Sequence, residues 1–520
     1  MSTPETRPVL RPTTPDAAIA GAAAAGLALG LSEAIGALLP GATSLVASVG
    51  QVVIDLQPPG AKDFVVSLVG TNDKLALEIV VVLASLAFGA VLGVVAARRF
   101  LVAALGFAAF GVVGFAAALG EPLANPGIAA LQVAVSVGLA VQVLSWLLAR
   151  AARAHAHAGG PATSDPARRS FLLRTGAVGL SALVAGLGWR SLLDRSRTAP
   201  IPVGALPPAS ETVPPLASGA DLAPTTPGLT PIVVLNDRFY RIDTALLVPS
   251  VDTATWTVRI HGLVERDTTL TWDELLALPM FEQYVTIACV SNEVGGNLVG
   301  NAKWTGVRLR DVLDIAGVSA SATQLVGRSV DGFTAGMPTA WVMDPDREPM
   351  IAVQMNDQPL PPAHGYPARL IVPGLYGYVS ATKWLSELEL TTLEAFDGYW
   401  VPLGWAKEAP ILTQSRIDTP RGGSSVGVGR VPIAGIAWAP DRGISKVEVA
   451  IDGEWREATL SSPISDATWL QWVVPWDAAA GQHEITVRAT DGTGKVQEEI
   501  PSRPAPDGAR GRHTIEVGVG

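Results

Sequence analysis

Hydrophobic and polar positions divide this chain into two halves written in different periods. Over 17–39, 76–97, 100–119 and 127–149 apolar residues follow one another with no recurring polar face, and each run is nearly free of charge. About 20 such residues cross the ~30 Å of hydrocarbon in a bilayer, so the runs predict four membrane-crossing helices. The alternative, a buried soluble bundle, would bring polar residues back at helical spacing. The stretch 41–56, GATSLVASVGQVVIDL, is too short to cross and predicts an interfacial or re-entrant piece. A fifth apolar segment, 165–193, opens on Arg168-Arg169-Ser170-Phe171-Leu172.

Past residue 198 the pattern changes. Residues 198–231 hold nine prolines among Ala, Ser, Thr and Gly. That composition predicts an extended, semi-rigid tether or, alternatively, a strand wrapped along the next domain. From 254 the period falls to two: TWTVRIHGLV reads as a strand, TWDELLALP as a short helix, and EQYVTIAC as a strand again. From 410 onward short alternating runs separated by Asp-Gly turns predict a β-sandwich. Trp438, Trp455, Trp469, Trp472 and Trp476 are expected in its core and turns. The GxG within SVGVGR, 425–430, is no nucleotide loop, because no helical pattern follows it.

Composition agrees with a membrane half. Of 520 residues 48% are hydrophobic and 16% charged, too apolar a balance for an ordinary soluble enzyme. A net charge of −10 gives no basic footprint for nucleic acid. Arg7 and Arg11 precede the first run, Arg98 and Arg99 separate the second from the third, and Arg150 and Arg153 follow the fourth. With alternating crossings these sites share one side, expected to be cytoplasmic. The opposite loops carry only Lys62 and Lys74. Glu33 and Glu78 lie within apolar runs, where an ionised carboxylate is costly. Each is expected to serve a proton or quinone site or, alternatively, a helix-packing hydrogen bond. No histidine falls inside a run, which argues against a haem held between the helices. The Arg168-Arg169 segment resembles a twin-arginine export signal; the alternative is a plain positive-inside flank. Either way 200–520 is expected outside the cytoplasm.

Cys289 is the one cysteine of the chain, so neither an intramolecular disulfide nor a CxxC site is open to it. It stands at the exit of a predicted strand, before the Gly-bearing loop SNEVGGN, a place where α/β sites gather. A thiolate is a soft metal ligand and a nucleophile, and a buried cysteine is also an inert small hydrophobe.

The run from Cys289 through Gly300-Asn301-Ala302-Lys303-Trp304-Thr305-Gly306-Val307 resembles the sulfite oxidase superfamily of molybdopterin enzymes. His364-Gly365-Tyr366-Pro367-Ala368-Arg369, Val372-Pro373-Gly374 and Lys383-Trp384 resemble its later cofactor motif. The resemblance covers roughly 232–518. It implies that Cys289 ligates molybdenum beside one pyranopterin dithiolene, and that the reaction is a two-electron oxygen-atom transfer. It further implies cofactor contacts at Asn236, Arg238, Tyr240, Asp331, His364, Arg369, Ala381, Thr382 and Lys383. For Asp331 a plain turn aspartate is the alternative, and for His364 a turn histidine.

One feature departs from the family. Sulfite oxidases follow the cysteine with a Gly-Asn-Arg-Arg type run, and here it is Ser291-Asn292-Glu293-Val294. A desolvated carboxylate there would oppose sulfite, unless Arg241 or Arg416 compensates. A neutral oxo or sulfoxide substrate is therefore expected, with a sulfite dehydrogenase as the alternative and a non-catalytic scaffold as a third reading. The expected fold is an N-terminal all-α transmembrane bundle, a central α+β molybdopterin domain and a C-terminal immunoglobulin-like sandwich. The expected segments are a cytoplasmic tail 1–16, membrane domain 17–193, linker 194–231, molybdopterin domain 232–409 and immunoglobulin-like domain 410–520. No haem or iron–sulfur motif is present, so electrons are expected to pass through a separate carrier or membrane quinone. A homodimer through the last domain is implied by the resemblance.

Overall fold

In a computed structural model of the chain the described residues are 11–39, 41–58, 65, 68, 73–156, 166–198 and 206–520. Arg7, Lys62 and residues 199–205 of the proline-rich segment lie outside them. The chain folds as two compact units, Met1–Arg197 with Ala245–Val248, and Thr198–Thr244 with Pro249–Gly520.

The first unit is helical: α1 Thr14–Leu38, α2 Leu45–Asp55, α3 Asp73–Ala96, α4 Phe100–Leu119, α5 Pro126–Ala156 and α6 Pro166–Thr198. The side chain of Thr13 caps α1 by accepting from the Asp16 amide at 3.2 Å, and Pro15 sits in the first turn, where its missing N–H is not needed. Among the described residues four helices are long and apolar enough to cross a membrane, namely α1, α3, α4 and α5 to Arg153. Small residues let α1 and α3 touch backbone to backbone: a Cβ added at Gly93 would lie 2.1 Å from the Ala17 carbonyl. Leu101 and Leu105 of α4 point outward, 78% and 70% exposed. α6 covers the expected fifth segment, but charge interrupts its apolar stretch at Arg174 and Arg190. The 41–56 run forms the short helix α2. The buried Glu33 carboxylate accepts from the Val46 amide at the start of α2, a packing hydrogen bond.

The second unit is built of sheets. One has the order β2-β1-β10-β5-β6, with β1 Thr257–Gly262, β2 Thr268–Thr271, β5 Gln324–Ser329, β6 Thr334–Pro338 and β10 Leu385–Thr391, β1 and β10 running parallel. A second joins β3 Met280–Ala288, β4 Val299–Arg308, β7 Met350–Met355 and β8 Gln358–Pro359, with β9 Arg369–Ile371 on β7. The hairpin β3–β4 pairs Ala288 with Val299, so the ten residues between them form the Cys289 loop. The short helix Trp272–Leu276 starts in a capping box in which Thr271 and Glu274 satisfy each other's orphan amides.

The C-terminal residues form two facing sheets. One holds β11 Gln414–Thr419, β13 Gly429–Trp438, β17 Leu470–Ala478 and β16 Thr459–Leu460. The other holds β12 Ser425–Val426, β19 His513–Val519, β18 Gly481–Asp491, β14 Ile444–Ile451 and β15 Glu454–Glu457. Their inner faces share one apolar core that includes Ile433, Val447, Trp472, Val487 and Val517. The GxG of 425–430 leads into strand β13.

Two expectations are corrected. From 206 to 231 the proline-rich segment is not a free tether. It lies along the second unit, bridging Glu211 to Phe281, with the Leu222 amide donating to the Gln471 side chain. The wrapped-strand alternative describes it better, because prolines that cannot donate still leave carbonyls and intervening amides to pair. Trp455 is not core: it is 37% exposed, with the Arg488 guanidinium 4.0 Å from its ring centroid. Trp438 and Trp469 are buried, but against the central core rather than the sandwich core. Trp469 Nε1 donates to the Ile232 carbonyl at 2.9 Å.

Candidate active site

The strand β3 delivers Cys289 into a closed loop. The Cys289 amide donates to the Leu298 carbonyl at 2.9 Å, and its carbonyl accepts from Asn292 at 3.1 Å. The Asn292 side chain then accepts from the Leu298 amide at 2.8 Å, tying the loop's far end to its near end. Gly295 takes φ +75°, and a Cβ there would strike the His513 ring, so β19 braces the loop as well. The thiol is buried, 8% exposed, and opens on a pocket.

Charge is uneven around that pocket. Arg369, at the start of β9, and Lys383 line it and are both buried. Lys383 Nζ bonds Asp243 at 2.9 Å and the Ala363 carbonyl at 3.1 Å. Burial, partly offset by Asp243, brings its pKa down to about 8. Arg369 makes no ion pair among the described residues. Its Nη1 reaches the His364 carbonyl at 3.4 Å, its Nε has no partner among the described residues, and burial lowers its pKa to about 10. A desolvated guanidinium with an unsatisfied donor is costly unless an anion arrives. The pocket is therefore suited to an anionic group such as a phosphate, which a guanidinium fork and an ammonium hold well.

The expected site residues separate into three sets. Tyr240, Cys289, Asp331, Arg369, Ala381 and Lys383 line the common pocket. His364, Thr382 and Asn236 stand behind it. His364 Nε2 faces the Asn236 carbonyl at 2.8 Å, so the neutral ring carries its proton there, and buried Nδ1 is left without a partner. Burial and the neighbouring Lys383 and Arg369 push its pKa down to about 3. Thr382 is fully buried, with its hydroxyl directed at the Gly327 carbonyl at 3.4 Å. The Asn236 side chain is committed to the β7–β8 hairpin through Met355 and Gln358. Arg238 is exposed and off the pocket, a correction to its expected contact: the turn at 235–239 points it to solvent.

Glu293 is also corrected. It is exposed and absent from the pocket wall, because the Glu293–Gly296 turn faces outward, so it sets no charge beside Cys289. Nor is Arg416 a substrate cation. It is buried, bonding Asp418, the Thr230 hydroxyl and the Gly296 carbonyl. Arg241 pairs with Asp243 at 2.8 Å. Sequence reasoning missed Asp243, Phe333, Tyr378 and Trp400, which line the pocket. Asp243 lies in the same FYRIDT run as Tyr240, so the signal was adjacent. The aromatic residues carried none that distinguishes a wall from a core.

Residues 245–400 match the family model described as oxidoreductase molybdopterin binding domain. The chain is 31% identical to mitochondrial sulfite oxidase of Homo sapiens over 304 residues, 49% of this chain and 55% of that protein. It is 30% identical to NADH nitrate reductase of Hordeum vulgare over 317 residues, 48% of this chain and 34% of that protein. A solved structure, the sulfane dehydrogenase SoxCD of Paracoccus pantotrophus, aligns at 22% identity with a TM-score of 0.48, covering 54% of this chain and 80% of that one. The chain thus spans about half the length of the sulfite oxidases it matches. A thiol and two desolvated cations converge inside this molybdopterin-binding oxidoreductase domain. Over this region the chain is similar to the sulfite oxidases and nitrate reductases.

Proposed function

We propose that the protein is a membrane-anchored oxidoreductase whose catalytic unit faces away from the cytoplasm and transfers an oxygen atom to or from a small, neutral oxo or sulfoxide compound. In this reading Cys289 holds molybdenum, Arg369 and Lys383 hold the phosphate of the pterin cofactor, and Tyr240, Ala381 and the His364–Asn236 pair shape its cradle. The bound group supplies the two-electron oxygen-transfer chemistry. The chain fixes its orientation and decides what reaches it.

The observation that carries the substrate class is the charge census of the wall. Its lysine and arginine residues are Lys383 and Arg369, and both are engaged once the cofactor phosphate is bound. The remaining wall has Phe333, Tyr378 and Trp400 with the carboxylates Asp243 and Asp331, a surface that favours a neutral molecule over a dianion. The second reading, a sulfite dehydrogenase, is favoured by the 31% identity to a sulfite oxidase. Steady-state rates of the purified holoenzyme with sulfite and with dialkyl sulfoxides separate the two. Faster sulfoxide turnover is expected, and efficient sulfite oxidation weakened by salt would overturn the neutral-substrate reading.

The remaining parts complete the proposal. Helices α1, α3, α4 and α5 anchor the enzyme in the cytoplasmic membrane with Arg98/Arg99 and Arg150/Arg153 inside, and α6 makes the fifth crossing from its Arg168/Arg169 end. Electrons pass to or from a separate carrier or quinone. The two-sheet C-terminal part is immunoglobulin-like and supplies a homodimer contact.

A further inference from the structure

One short piece of chain is counted with the helices although its neighbours in sequence are not. Ala245–Val248 belongs to the first unit, while Thr244 and Pro249 on either side of it belong to the second. The helices hold this strap by a hydrogen bond and by shape. Lys74, at the start of α3, donates from Nζ to the Ala245 carbonyl at 2.7 Å. Gly50 of α2 leaves room for Leu246: a Cβ there would lie 3.0 Å from Leu246 Cδ1, and Leu77 of α3 stands 3.7 Å from the same point. Ala245 and Val248 are buried.

The residues just before the strap are wall residues of the Cys289 pocket. Tyr240, Ile242, Asp243 and Thr244 line it, and the Asp243 carboxylate takes both Lys383 and Arg241. From 240 to 252 the chain enters no strand or helix, so no ladder of backbone bonds gives this stretch its shape. Irregular segments of this kind open readily unless anchors hold them. Ala245 is one peptide bond from the wall and two residues from Asp243. Two residues of extended chain span at most about 7 Å, so a fixed Ala245 carbonyl leaves the wall little slack.

We propose that Lys74 is a positioning residue for the Cys289 pocket: by holding the Ala245 carbonyl it fixes the strap, and the strap fixes the wall from Tyr240 to Thr244. Lys74 touches no reacting atom and acts through the covalent chain. This rests on the reading of the pocket as the catalytic site, and adds that the helices do more than anchor the chain, because they set the resting shape of one wall. The competing role is that of a plain flanking charge at a helix end. Loss of such a charge would disturb membrane insertion and leave Cys289 unaffected.

Cys289 is the one cysteine of the chain, so a thiol reagent reports on this pocket alone. Its thiol is buried, and labelling of the full-length, cofactor-free protein under native conditions requires the pocket to open. Lys74→Met keeps the stem and loses the donor, and Leu246→Ala empties the seat at Gly50. Each should speed labelling about tenfold, the loss expected when a hydrogen bond to a charged group goes. The double variant should label no faster than the faster single one, because both act through one strap. Lys74→Arg should stay near wild type. Pterin and molybdenum retained by the purified holoenzyme should fall in the same order. A wild-type labelling rate in Lys74→Met would overturn the proposal, as would single effects that multiply in the double variant, the mark of two unrelated injuries. If Lys74→Met fails to insert in the membrane, Leu246→Ala decides alone, and an unchanged rate there overturns the proposal. If the wild type holds no pterin, the functional reading fails by itself, while labelling still decides the strap.

Discussion

Arg416 Nη1 donates to the Gly296 carbonyl at 2.7 Å, so a strand of the C-terminal sandwich grips the loop that presents Cys289. The same guanidinium bonds Asp418 at 2.7 Å and the Thr230 hydroxyl at 3.0 Å. Arg416→Ala leaves the nearly buried Asp418 carboxylate without its partner, a loss on the order of 3–5 kcal/mol. It should also free the loop's far end. Denaturant midpoints should fall and molybdenum retention with them, whereas Arg416→Lys should recover part of the stability and little of the retention. Equal retention in both variants would show that the loop needs no brace from β11.

Lys383 and Asp243 form the buried ion pair of the pocket. An incoming phosphate competes with Asp243 for the ammonium. Asp243→Asn should therefore bind inorganic phosphate several-fold more tightly in the cofactor-free protein while lowering its stability, because Lys383 loses its counter-charge. Isothermal titration reads the first effect and urea unfolding the second. Weaker phosphate binding would remove Lys383 from the anion cradle.

His364 gives a pH dependence with a definite sign. Its folded pKa of about 3 lies below the ordinary 6.5, so the folded state refuses a proton that the unfolded chain accepts. The stability it contributes is complete above 6.5 and is lost as pH falls toward 3, with a limiting slope of about 1.4 kcal/mol per pH unit. His364→Gln keeps a donor for the Asn236 carbonyl and removes the titration. Urea midpoints of the cofactor-free protein measured over this window should slope less steeply in the variant. Parallel slopes would mean that His364 is not held neutral by the fold.

The proposed sidedness rests on the positive charges. If Arg168 and Arg169 are read by an export receptor, Arg168→Lys with Arg169→Lys should leave the catalytic unit in the cytoplasm while the first four helices still insert. Lysine keeps the charge that simple positive-inside bias needs. Protease added to intact spheroplasts should then cleave the wild-type C-terminal part and spare the variant. Equal cleavage would leave only charge bias, and a protected wild type would reverse the topology.

Much of this architecture is legible in the sequence because apolar period is a direct record of environment. The run 100–119 is a helix over the same residues, and β3 stops at Ala288, one residue before the cysteine. Motifs tied to backbone shape, such as 364–369 and 381–383, also placed their residues at or behind the pocket. What failed was side-chain direction. Glu293 and Arg238 stand in the right segments, but turns aim them at solvent. Asp243 and Trp400 reach the pocket only through contacts between distant segments, which period and spacing do not encode. The proline-rich stretch misled for a related reason: composition records stiffness, and docking depends on the surface the segment meets.

The central claim is that the thiolate of Cys289 holds molybdenum. X-ray absorption at the molybdenum edge, on wild type and Cys289→Ala purified alike, tests it most directly. The change leaves Arg369 and Lys383, the proposed holders of the pterin phosphate, in place, so the variant should retain pterin, lose turnover by several orders of magnitude, and show one sulfur fewer around the metal. An unchanged sulfur shell with wild-type activity in Cys289→Ala would contradict the assignment.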